Sequence, residues 1–121
     1  MTGKSKAQSR LLRYQEAVKD LERPRACLRF NISMGGRPET VEHYREDVKR
    51  LEDQAERIRA GILQELARLP DLQREVMRAR YLELDPGGRL RKWSIIADQI
   101  GRTEKHTIHL HRLALESLAE R

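Results

Sequence analysis

Lys105, His106, His109 and Arg112 are spaced by one, three and three residues, so on a helix they share one face. All four donate hydrogen bonds, two carry a fixed positive charge, and the imidazoles gain one on mild acidification. A face of that kind suits anions and the acceptor edges of nucleic-acid bases. Arg89, Arg91 and Lys92 form a second basic group just upstream, and Arg102 and Thr103 stand immediately before the helix. The division of labour expected from this order places Lys105, His106, His109 and Arg112 at base edges. Arg89, Arg91, Lys92, Arg102 and Thr103 then hold phosphates. Ile108, on the same face, would meet a thymine methyl. In a slightly rotated helix it would instead replace Thr107 in the core.

These side chains need a scaffold, and the stretch from Trp93 to Arg112 reads as a helix-turn-helix. Ile96 and Ile100 fall one turn apart on a buried face, and Ala97 is small where a second helix must cross. Gly101 stands where the turn calls for a positive φ that a Cβ would resist. Thr103 is placed to cap the following helix, expected over residues 104–119, by accepting a backbone N–H. Leu110, Ala114, Leu115 and Leu118 line the inner side of that helix. Arg102 and Thr107 depart from the usual apolar choices at the tenth and fifteenth positions, and the plainer alternative is an αα-hairpin that only packs.

The remaining helices follow from periodicity. Leu11, Tyr14, Val18 and Leu21 predict a helix over residues 6–22, ended by Pro24. Residues 23–38, with a Met34-Gly35-Gly36 turn, read as a connecting loop that can hold a short helical turn, packed down by Phe30 and Ile32. Val41, Tyr44, Val48, Leu51, Ala55, Ile58 and Ile62 then step by threes and fours, continued by Leu66 and Leu69. This is a coiled-coil seam on a helix roughly 45 Å long. The first helix is too short to cover it, so part of the stripe must meet the C-terminal domain or another chain. A homodimer with these seven residues as its oligomerisation surface is expected, and a monomeric helical hairpin is the alternative. Pro70 opens a further helix to about residue 82, and Asp85-Pro86-Gly87-Gly88 makes a turn. The expected division is residues 1–69 as a helical hairpin or coiled coil and residues 70–121 as a DNA-binding domain.

Composition narrows the partners. The chain has 121 residues and a formal net charge of +6, which favours an anionic partner such as nucleic acid. Charged residues make up 36% of it and aromatics 4%, a profile for exposed helices rather than a thick core. Cys27 is the single cysteine, which excludes an internal disulfide. No apolar run suits a membrane, and the basic N-terminus lacks the apolar stretch of a secretory signal, so a cytoplasmic protein is expected. His106 and His109 lack a third ligand at metal spacing, and His111 reads as a packed core histidine. No phosphate loop, activated nucleophile or carboxylate pair is visible, so neither an enzyme nor a cofactor is expected.

Leu69-Pro70-Asp71-Leu72-Gln73-Arg74-Glu75-Val76-Met77, followed by Arg80-Tyr81-Leu82, resembles the opening of the region 4 domain of bacterial sigma factors. Trp93 with Ile96-Ala97, then Thr103, Leu110-His111 and Ala114-Leu115, resembles a narrower group. That group is the phage- and prophage-encoded transcriptional regulators of the ArpU/RinA type, which share the sigma-like fold and carry two N-terminal helices joined by a loop. The resemblance spans nearly everything after the first ten residues. It implies sequence-specific binding to phage promoter DNA, with the recognition helix running from Thr103 and with Arg91, Lys92 and Trp93 flanking the backbone. The loop at residues 85–90 is longer than most sigma domains need.

Together these readings give an all-α protein with an N-terminal helical hairpin or coiled coil and a three-helix sigma region 4-like domain. The expected function is a homodimeric regulator binding double-stranded DNA, with RNA polymerase as a further partner. Two alternatives use the same elements. One is a small terminase-like DNA-packaging subunit, and the other is an interaction module that grips polymerase without DNA.

Overall fold

The computed structural model describes residues 3–120, which form six helices with no strand among the described residues. They are α1 (Gly3–Asp20), α2 (Glu22–Ser33), α3 (Pro38–Leu66), α4 (Asp71–Tyr81), α5 (Trp93–Ile100) and α6 (Glu104–Ala119). No helix among the described residues is long and apolar enough to cross a membrane.

The first three helices make the hairpin, but not with the expected boundary. Pro24 does not end helical structure; it is the third residue of α2. A proline there removes an N–H that has no partner in a helix's first turn, so α2 starts cleanly after the break at Leu21. Leu21 N–H bonds to the Val18 carbonyl and Arg25 N–H to the Leu21 carbonyl, so the chain bends without leaving helical geometry. Residues 23–38 are therefore mostly helix rather than loop, and Phe30 and Ile32 are exposed rather than packed down. A helix without a buried face imposes no apolar period, which is why the pattern looked like a loop. The Met34-Gly35-Gly36 turn is present: Gly35 has φ 67°, and Gly36 N–H reaches back to the Asn31 carbonyl at 2.7 Å.

α1 and α2 together run antiparallel to α3. Arg10 pairs with Glu65 at 2.7 Å, and Arg25 pairs with Glu52 at 3.2 Å, so the partner number falls as the residue number rises. The long stripe is thus covered within one chain over much of its length. Val48, Ala55 and Ile62 are buried, while Val41, Tyr44, Leu51 and Ile58 are half-buried. Because α2 continues the first arm along α3, the shortness of α1 does not by itself call for a second chain to cover the stripe.

α4, α5 and α6 pack on one another as a trihelical unit, and α1 packs on it as a fourth helix. One core joins the two halves across Pro70. Ala7 and Leu11 of α1 lie with Ile62, Leu66 and Leu69, with Met77, Tyr81 and Leu82, and with Ala114, Leu115 and Leu118 of α6. The expected boundary at residue 70 thus separates helices without separating cores. Gly3 lets α1 come close to the end of α6, since an added Cβ would stand 3.1 Å from the Ala119 Cβ.

Candidate nucleic-acid interface

The turn between α5 and α6 is built as its residue types suggest. Gly101 has φ 67°, in the left-handed region, and Arg102 N–H bonds to the Ala97 carbonyl at 3.0 Å. Thr103 is the N-cap of α6, its Oγ1 accepting from His106 N–H at 3.1 Å. Ile96 and Ala97 are buried under the turn. Leu110, Ala114, Leu115 and Leu118 face inward as expected.

The register of α6 is settled by burial. Thr107 is 0% exposed and Ile108 is 42% exposed, so Thr107 occupies the core slot and Ile108 faces out. Threonine is tolerated there because its hydroxyl donates to the Thr103 carbonyl at 2.8 Å, leaving no unpaired polar group inside. The solvent face of α6 then presents Lys105, His106, Ile108, His109 and Arg112, which with Thr103 line one shallow concavity. Arg112 Nη2 lies 2.7 Å from His109 Nδ1. An arginine has no acceptor, so the guanidinium is the donor, and the contact holds Arg112 against His109 on the exposed face of α6.

The expected phosphate group is divided by its environment. Arg89, Lys92, Arg102 and Thr103 are exposed. Arg91 is half-buried, and its Nε donates to the Glu83 carbonyl. Its own carbonyl accepts from Arg80 Nη1. Arg91 thus braces the loop, and Arg89 and Lys92 are its exposed cations. Asp85 orders the same loop by accepting from Gly87 and Arg89 N–H at 2.8 and 2.9 Å. Gln15 of α1 donates to the Gly88 carbonyl at 3.2 Å, which ties the loop to the hairpin.

Behind the outward face lies a polar cluster that no local pattern announced. Gln8 Nε2 donates to the Tyr81 hydroxyl at 3.1 Å, and that hydroxyl lies 2.6 Å from His111 Nε2. Trp93 meets His111 edge-on at 4.8 Å, and the Arg80 guanidinium stands 4.3 Å over the Trp93 ring. Side chains from α1, α4, α5 and α6 are thereby locked together, fixing the angle at which α6 is presented. His111 is the packed, hydrogen-bonded histidine expected from sequence. Gln8, 73 residues from Tyr81, carried no sequence signal at all.

Burial first, and the charge of Arg80 second, push the His111 pKa down from 6.5 to about 4. The neutral ring then accepts the Tyr81 hydroxyl proton. In the unfolded chain the ring reverts to near its ordinary value, so the unfolded state holds the extra proton in the interval between. The stabilisation is complete above about pH 6.5 and is lost as pH falls towards 4. Full conversion would give about 3 kcal/mol, which residual solvent access reduces to roughly 2 kcal/mol. Urea unfolding followed by Trp93 fluorescence at neutral pH and at about pH 4.5 should reveal that loss in the wild type. His111→Gln should flatten it, and equal pH dependence in both proteins would contradict the assignment.

A second concavity, between α5 and α6, is lined by Ala97, Asp98, Gly101, Arg102, Thr103 and His106. Asp98 was not among the expected site residues, and its carboxylate opposes a phosphate close to this turn. No family model, no curated protein and no solved structure matches this chain.

Proposed function

We propose that the chain is a sequence-specific DNA-binding transcriptional regulator that places α6 in the major groove. The observation that carries this reading is the solvent face of α6. Five side chains able to read bases or a methyl group stand there on a helix whose start is fixed by Gly101 and Thr103. Lys105, His106, His109 and Arg112 address base edges, with Ile108 positioned for a thymine methyl. Arg89, Lys92, Arg102 and the Thr103 hydroxyl address phosphates, and the net charge of +6 adds the long-range attraction such binding needs. The sigma region 4-like identity of the α4–α6 unit and the phage regulator type rest on the sequence motifs around Leu69–Leu82 and Trp93–Leu115. A protein of this kind works in the cytoplasm, where polymerase is a natural second partner.

The test is a selection of genomic fragments by the purified protein at near-physiological salt, read by sequencing. The expected result is a recovered sequence motif. Recovery without a motif would point instead to packaging, and no recovery would point to a protein partner.

A further inference from the structure

α2 is a 12-residue helix with no buried residue. The gap is wider than that helix: from residue 22 to residue 47 no side chain is fully buried. That stretch contains Cys27, Leu28, Phe30, Ile32, Met34, Val41 and Tyr44. Phe30 is 63%, Ile32 54% and Met34 69% exposed, and these three are the most exposed large apolar residues of the described chain. Short helices draw their stability from packing, and a two-helix arm without a buried layer lacks it. Elsewhere the hairpin is closed by α4 and α6, but the tip projects beyond them.

Charge indicates what completes the tip. α2 carries Arg23, Arg25 and Arg29 against the single acid Glu22. The start of α3 carries Glu39, Glu42, Glu46 and Asp47 against Arg45. Arg25 is paired with Glu52, and Asp47 with Arg50. Arg23, Arg29, Glu39, Glu42 and Glu46 have no ion-pair partner among the described residues. A basic helix beside an acidic one is self-complementary under a two-fold axis. Each copy's α2 then lies along the start of the other's α3.

We propose that the arm tip, residues 22–47, is a homodimer interface in which two copies form a four-helix bundle around Phe30, Met34, Val41 and Tyr44. This moves the dimer seam away from Val48, Ala55 and Ile62, which are occupied within the chain, to the half-buried start of the stripe and the exposed Phe30 and Met34 beside it. The inference stands independently of the DNA reading. If both hold, the arm sets the separation of two recognition helices and hence the spacing of half-sites.

The test is sedimentation of the full chain without DNA from low to high micromolar concentration. The expected mass is twice 14.2 kDa, with a melting temperature that rises with concentration. Phe30→Glu combined with Met34→Glu should weaken self-association by at least about a hundredfold. Both side chains are exposed in one chain, so the packing of α4–α6, reported by Trp93 fluorescence, should survive. Ile95→Asp, at an exposed apolar residue away from the arm, should leave the dimer intact. A single-chain mass at every concentration with a concentration-independent melting temperature would overturn the proposal. So would a ring-sized assembly, a dimer undiminished in the double variant, or dissociation by Ile95→Asp.

Discussion

Replacing Leu11 with alanine lowers the stability of the C-terminal half as well as the arm, by about 3 kcal/mol. Leu11 belongs to α1 but is fully buried in the core that contains Met77, Tyr81, Leu115 and Leu118. The substitution removes three carbon atoms from a site walled by four helices, which cannot collapse to fill the space. Trp93, the single tryptophan, lies on α5 at the far side of the polar cluster and reports that half alone. Its fluorescence transition in urea should therefore shift with the variant, and the melting temperature should fall by roughly 10 °C. Circular dichroism, which reports all six helices, should show the same midpoint. A Trp93 transition that stayed at its wild-type midpoint while helicity fell would mean that residues 70–121 fold alone.

The second large effect concerns recognition, and it distinguishes two kinds of contact. On the proposed DNA reading, Arg112→Ala and Lys105→Ala remove donors that address base edges, and each should cost about 1–3 kcal/mol on the preferred sequence and relax the preference at one position. Lys92→Ala removes an exposed cation from the loop before α5. It should weaken binding to all sequences alike and reduce the slope of log K against log salt by about one. None of the three side chains is part of the core, so stability should be unchanged, which a urea titration verifies. Binding measured on matched and scrambled duplexes at several salt concentrations separates the outcomes. If Arg112→Ala and Lys92→Ala behaved alike, the division between base and phosphate contacts would be wrong. Arg91→Ala should behave differently from Lys92→Ala, because its Nε donates to the Glu83 carbonyl and its loss would loosen the loop that carries Arg89.

Local chemistry made the helix-turn-helix legible in the amino-acid sequence. A glycine free to take φ 67°, a threonine able to cap, and apolar residues at helical spacing each act over four residues or fewer. Their effects therefore need no distant partner, and the start and the inner face of α6 follow from them. The assignment of Thr107 to the core and Ile108 to solvent was the one local choice that periodicity left open. The packing of α6 on the rest of the chain decided it, burying Thr107 and leaving Ile108 42% exposed. The same dependence on packing explains the misreading of residues 23–38. Pro24 signals a break, but whether helix resumes after it depends on α3 being there to receive α2.

The tertiary structure alone decided three further things. It brought Gln8 to Tyr81 and Tyr81 to His111, a network whose members are too far apart in the chain for any spacing rule. It turned Arg91 inward while Arg89 and Lys92 stayed out, a distinction invisible among three basic residues within four positions. It also covered much of the long apolar stripe within one chain, because the first arm bends at Leu21 and continues as α2 along α3, while Phe30, Ile32 and Met34 of that arm and its turn stay exposed. A sequence states which faces are apolar; only the packed chain states which of them are already covered.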